Sequence, residues 1–184
     1  MIKVDLPEQT IQKLQRQLGT TCDFLGFTID LEKGVITDNL SNIVWTELTV
    51  RLIPAMLSHY AGGNPVPLVG KPVKFRDIPG GYAYEGAFIN RAIRPIEENF
   101  GKKPQKLIEA AIRLGGKPLK LGDASVEIQT LKGIPLIYIL YSAEDYPASA
   151  SILYDESASC FLPTEDLAVL GELASMRLIV AEKI

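Results

Sequence analysis

Acid–base or nucleophilic chemistry in this chain has few residues to draw on. His59 is the sole histidine, so a site needing two imidazoles cannot be built, and the common two-histidine metal motifs are excluded. As the base of a serine hydrolase, His59 would need a serine held on a G-x-S-x-G turn, and the sequence has none. Next to Tyr60 at what reads as a helix end, His59 suits a capping or half-buried role better than catalysis, although it is the one imidazole available as a reactive group. The two cysteines, Cys22 and Cys160, form no C-x-x-C pair, which fits reduced, buried thiols and not a cluster or a structural zinc site. Cys160 lies between Tyr154-Asp155-Glu156 and Thr164-Glu165-Asp166, just ahead of the last helix. A helix N-terminus would lower its pKa and make it reactive, whereas the neighbouring acids push the other way.

The stretch from Asp77 to Tyr82, reading DIPGGY, is the most conspicuous loop. Two glycines after a proline can expose backbone N–H groups, and Tyr82 and Tyr84 offer flat faces for stacking. Arg76, Arg91 and Arg94 are the nearest cations in sequence and could hold a carboxylate or phosphate in bidentate fashion. With Asp77, Tyr82 and Tyr84 they form the candidate ligand-binding set. The bland alternative is a tight turn from strand to helix with its aromatic residues packed inward. None of Gly62-Gly63, Gly80-Gly81 and Gly115-Gly116 has the context of a phosphate-binding loop, so nucleotide binding is disfavoured.

The surrounding pattern predicts the elements that position these residues. Ile11, Leu14 and Leu18 at helical spacing, closed by Gly19, predict a helix from Pro7 to Leu18. Cys22 to Leu31 reads as a strand that turns at Glu32-Lys33-Gly34 into Val35 to Thr37. Thr46 to Ala61 reads as a helix with Thr46 as its N-cap, broken or kinked near Leu52 by Pro54. A loop from Asn64 to Pro72 leads into a strand at Val73 to Phe75. Phe88, Ala92, Ile96 and Phe100 predict a helix from about Tyr84 to Phe100, bent or divided by Pro95, and Pro104 to Leu114 gives the next. Ser125 to Gln129, Leu136 to Tyr141 and Ser151 to Tyr154 read as adjacent antiparallel strands. Thr164 caps a final helix with Glu165 and Asp166 in its first turn. The expected architecture is α+β, one domain over 1–184, a mostly antiparallel sheet packed with about five helices.

At 184 residues a chain buries roughly 70% of its unfolded surface and needs no staple. No apolar run approaches the roughly 20 residues of a membrane span, and the opening MIKVDLPEQT is no secretory signal, so no membrane association is expected and the expected location is the cytoplasm. The net charge of −3 argues against nucleic acid as a partner. It is unevenly spread. Arg91 to Lys120 holds eight basic residues against three acids, while Glu144 to Ile184 holds eight acids against Arg177 and Lys183. Such asymmetry could build an anion site or let one copy dock on another as a homodimer.

Three stretches, NPVPLVGKPVKFRDIPGGYAYEGAF, IRLGGKPLKLGDASVEI and ILYDESASCFLPTEDLAVLGELA, resemble an uncharacterised family, domain of unknown function 3786, of anaerobic bacteria and archaea. The resemblance covers roughly Trp45 to the C-terminus. Some of its members resemble fusions to a cysteine-rich segment and are labelled iron–sulfur proteins; this chain lacks that segment, and two cysteines cannot supply four cluster ligands. The resemblance implies an anaerobe's cytoplasm and a transient association with corrinoid or iron–sulfur enzymes. It assigns no catalytic residue, and the chain builds no cofactor site of its own. The expected role is a noncatalytic binding or accessory module for a protein partner or a small anionic ligand. The alternative is a small-molecule enzyme centred on the Asp77 to Tyr84 loop.

Overall fold

The computed structural model describes residues 2–40 and 47–184. An N-terminal unit opens with β1 (Ile2–Lys3) and α1 (Glu8–Leu18), followed by β2 (Thr21–Phe24), β3 (Phe27–Asp30) and β4 (Val35–Asp38). These strands form an antiparallel sheet of order β1-β4-β3-β2. The expected single strand from Cys22 to Leu31 is instead folded on itself at Leu25-Gly26. Phe24 pairs with Phe27, and both turn residues have positive φ, 51° and 78°, as a two-residue hairpin with strand-matched twist requires. Leucine pays a steric cost in that conformation; here it is buried as Leu25, so packing outweighs local preference.

Helix α2 (Glu47–Gly62) runs unbroken through Pro54, so the expected break at Leu52 is absent. Thr46, the expected N-cap, lies outside the described residues. After the loop to Lys71, β5 (Pro72–Lys74) is followed by a 3₁₀ turn at Phe75–Asp77 and a continuous helical run, α3 (Gly81–Phe88), a π segment at Ile89–Ile93, and α4 (Arg94–Phe100). Pro95 has no N–H for the carbonyl of Arg91, and the π segment just before it widens the turn: Arg94 N–H reaches back five residues to Ile89. Helix α5 (Pro104–Arg113), β6 (Lys117–Pro118), β7 (Ala124–Gln129), β8 (Pro135–Tyr141), β9 (Ser149–Asp155), a 3₁₀ turn at Glu156–Cys160 and α6 (Thr164–Glu182) complete the chain. Two antiparallel sheets with these helices make an α+β fold, the expected class.

The second sheet has the order β5-β9-β8-β7-β6. Its inward residues Val126, Leu136, Tyr138, Leu140, Ile152 and Tyr154 are buried, in clean alternation along β8. Helix α6 lies under them. Tyr154 Oη donates to the Leu167 carbonyl at 2.7 Å and Tyr138 Oη meets Ser175 Oγ at 3.2 Å, so both phenols are satisfied in the core. At the far end of α6, Arg177 is buried and reaches into the first sheet. Its guanidinium makes a bidentate pair with Asp38 at 2.7 and 3.0 Å, donates to the carbonyls of Leu25 and Gly26, and stacks 3.7 Å over the Phe27 ring. One helix therefore ties the two sheets together.

Candidate functional site

The first turn of α6 gathers three segments that are distant in sequence. Thr164 Oγ1 donates to the Pro79 carbonyl at 2.6 Å; it does not cap its own helix, which corrects the expected role of that residue. Tyr84 Oη donates to Glu165 Oε1 at 3.1 Å, and His59 Nδ1 lies 2.6 Å from Asp166 Oδ2. Both acids sit at the positive end of α6, where the helix dipole favours them. The hydrogen bond to Glu165, and then its charge, hold the Tyr84 phenol above its ordinary pKa, so Tyr84 stays a donor.

The DIPGGY loop folds back on itself. Gly81 N–H bonds to the Ile78 carbonyl at 2.8 Å, and a Cβ on Gly81 would stand 1.9 Å from the Phe75 carbonyl oxygen. The glycine is there for this close approach. Arg76 pairs with Glu85 at 3.2 Å and lies 5.4 Å above the Tyr82 ring. Asp77, Arg91 and Arg94 are exposed.

A second knot adjoins the first. Asp155 is buried, and its carboxylate accepts from the N–H groups of Val69 at 3.0 Å and Gly70 at 2.7 Å, and from the N–H and hydroxyl of Ser157. Lys71 pairs with Glu156 at 2.6 Å, and Asn64 N–H bonds to the Cys160 carbonyl at 2.8 Å. Residues 64–71 and 77–84 are thus fastened to the segment 155–166 around the end of β9. Large apolar side chains stand exposed on this end: Leu68 (51%), Val69 (58%), Tyr82 (72%) and Tyr84 (43%). Tyr82 and Tyr84 do not pack inward.

Of three cavities among the described residues, one is lined by these segments, through Pro65, Val66, Leu68 and Phe161. The largest, about 750 Å³, lies between the two sheets beside Cys22, Arg113 and Gln129. One of about 240 Å³ is lined by Lys74, Arg76, Glu85 and Glu97. The third, about 380 Å³, is lined by Gln17, Tyr60, Val66 and Phe161. Of the candidate ligand-binding set, Arg76 alone lines any of the three. Among the described residues no three His, Cys, Asp or Glu side chains gather as a metal site.

The expectation of two buried thiols is corrected in part: Cys22 is half-buried and Cys160 is exposed. Burial, and then the neighbouring Asp23, push the Cys22 thiol up to about 11, so it is protonated at neutral pH and slow to react. A chromogenic disulfide reagent is therefore expected to label one thiol quickly at pH 7.5, and the Cys160→Ser variant to lose that fast phase. A fast phase that survives in Cys160→Ser would show Cys22 to be the accessible thiol.

Sequence reasoning missed Asp155 and Arg177 as organising residues. The signal for Asp155 is an acid followed two residues on by a serine at a strand end, an Asx-turn pattern. That for Arg177 is a lone cation in an otherwise apolar helix stripe.

The two knotted segments carry much of the resemblance, and the model of the family described as domain of unknown function DUF3786 matches residues 12–177. The chain belongs to the DUF3786 family. The match begins before the region where the sequence patterns resemble it and takes in the second half of α1 and β2, β3 and β4, so it reaches into both sheets. No curated protein and no solved structure matches the chain significantly. No described helix is long and apolar enough to cross a membrane.

Proposed function

We propose that the chain is a noncatalytic binding module that docks another protein on the end built by residues 64–71, 77–84 and 155–166. The observation that carries this reading is the exposure of Leu68 and Val69 on a loop and of Tyr82 and Tyr84 in the first turns of α3, segments that hydrogen bonds have already fixed. Aromatic anchors on a pre-ordered surface give affinity without an ordering cost. Charges on the same end are largely matched internally, Lys71 by Glu156 and Arg76 by Glu85, which leaves apolar contact as the attraction. The setting we propose is the cytoplasm of an anaerobe, with an enzyme of that metabolism as the partner.

The test is a photo-crosslinking amino acid placed at Tyr82, at Leu68, or at Ile112, which is equally exposed but lies on α5. Irradiation of the native host is expected to give one discrete adduct from positions 82 and 68 and none from 112. Tyr82→Ala should then weaken binding of the identified partner by roughly tenfold or more, while Arg91→Ala and Arg94→Ala should not. Equal adducts from all three positions, or none, would overturn the reading. An adduct of twice the chain mass would make the occupant a second copy.

A second reading rests on His59. Its Nδ1 held by Asp166 is the arrangement that orients an imidazole for general base work at Nε2. Turnover by the isolated chain that is lost in His59→Gln and preserved in Tyr82→Ala would favour this enzyme reading.

A further inference from the structure

The crevice of about 240 Å³ beside β5, α3, α4 and β9 brings charges of both signs up to one apolar wall. Lys74 enters it from the end of β5, Arg76 from the 3₁₀ turn, Glu85 from α3 and Glu97 from α4. The apolar wall is Ile89 and Ile93, the two ends of the π segment, and helix irregularities of that kind recur at functional sites. Each of these six residues is exposed or half-buried, so a molecule entering from solvent reaches them.

The Glu97 carboxylate is held in place by the backbone of β9, since its Oε1 accepts from the Ala150 N–H at 2.9 Å. Neither Glu97 nor Lys74 enters an ion pair among the described residues, so both charges are available. Arg76 gives Nη1 to Glu85 at 3.2 Å and has further N–H donors on the same planar group. The crevice therefore presents one carboxylate and two cations that do not cancel one another. A simple anion drawn to Lys74 and Arg76 would be set beside Glu97, and a simple cation drawn to Glu97 would be set beside the two cations. A molecule carrying both signs escapes both penalties.

We propose that this crevice binds a free α-amino acid with an apolar side chain, taken up as its zwitterion. Glu97 receives the α-ammonium, Lys74 and Arg76 receive the α-carboxylate, and the side chain rests on Ile89 and Ile93. The volume lies just under the range of drug-sized pockets, ~300–1,000 Å³, which suits a single amino acid and excludes a nucleotide. The inference does not depend on the protein-docking reading, because none of Leu68, Val69, Tyr82 and Tyr84 lines the crevice.

The test titrates L-leucine into the full chain by calorimetry, beside leucinamide, which lacks the carboxylate, and N-acetyl-leucine, which lacks the ammonium. L-leucine should bind in the micromolar to millimolar range, and each blocked form at least tenfold more weakly. Glu97→Gln keeps an oxygen for the Ala150 N–H and should melt close to the parent, yet bind L-leucine roughly tenfold more weakly. Lys74→Met should weaken L-leucine by a similar factor, whereas Glu98→Gln, exposed on the same helix, should bind as the parent does. No binding at millimolar L-leucine, or unchanged affinity in Glu97→Gln, would overturn the proposal. Equal affinity for leucinamide would overturn it too, and would make the crevice a reader of peptide N-termini.

Discussion

Replacing Arg177 with methionine is expected to destabilise the chain by about 3–5 kcal/mol, the scale of breaking a buried ion pair by removing one member. Native domains hold only about 5–15 kcal/mol in all, so this is the largest single-residue loss anticipated. The reason is the number of groups that depend on one guanidinium. Asp38 would lose both arms of its bidentate contact, and the carbonyls of Leu25 and Gly26 would lose their donors. Leu25 would keep its unfavourable positive φ without the contacts that offset it. Methionine fills much of the volume and still rests on Phe27, which separates the charge effect from a cavity effect. The measurement is urea unfolding of both proteins with the slope compared. Adding Asp38→Asn to Arg177→Met should recover part of the loss, because the carboxylate charge that faced the guanidinium is then gone. Recovery is incomplete since Asp38 also accepts from the Leu40 N–H. A loss below about 1 kcal/mol, typical of exposed pairs, would show that the two sheets are not held through Arg177.

Much of the architecture was readable in the sequence because it rests on periodicity. The stripe Phe88, Ala92, Ile96 and Phe100 is buried, and β7, β8 and β9 pair as adjacent antiparallel strands. Where the reading failed, a long-range contact decided the local structure. Leu25-Gly26 lacks the Asn or Asp that marks such a hairpin turn, and its conformation is held by Arg177, roughly 150 positions later in the chain. Thr164 looked like a cap because a threonine ahead of Glu165 and Asp166 has the makings of a helix start, yet the Pro79 carbonyl attracts its hydroxyl. Pro54 and Pro95 carried the same warning in sequence and had different outcomes: one is absorbed inside α2, the other sits next to a π segment. For the candidate site, the sequence picked out the DIPGGY loop, Tyr84, His59 and Cys160 separately. It held no sign that the first turn of α6 would gather the loop, Tyr84 and His59, because each contact joins residues more than 80 positions apart.

Asp155→Asn is the second substitution expected to act strongly, and it links stability to the docking face. The carboxylate has four donors around it. Oδ1 accepts from Val69, from the Ser157 N–H and from the Ser157 hydroxyl, while Oδ2 accepts from Gly70. An asparagine can keep one oxygen in place, but its amide N–H₂ must then face a donor, so the variant should lose about 2–3 kcal/mol, the scale of a hydrogen bond to a charged acceptor. Burial alone would raise the pKa of this carboxyl; the hydrogen bonds from Ser157, Val69 and Gly70 outweigh it and set the value below the ordinary one. The folded pKa is thus depressed relative to the unfolded value of about 3.9, so the stabilisation is complete above that pH and is lost as the pH falls through the folded pKa. Asp30 and Asp123, also lowered by hydrogen bonds, contribute to the same acid limb, so Asp155→Asn should flatten that limb without abolishing it. An unchanged slope of stability against pH below about 4 would mean that Asp155 is not ionised in the folded chain. The functional consequence follows from where the donors lie. Val69 and Gly70 hold Leu68 and Val69 in place, and loosening them adds an ordering cost to any encounter on that face. At pH 7, with the variant still folded, its affinity for the docked partner should fall although Asp155 itself is buried, whereas Lys71→Ala, which removes an exposed ion pair of little energetic worth, should leave affinity nearly unchanged.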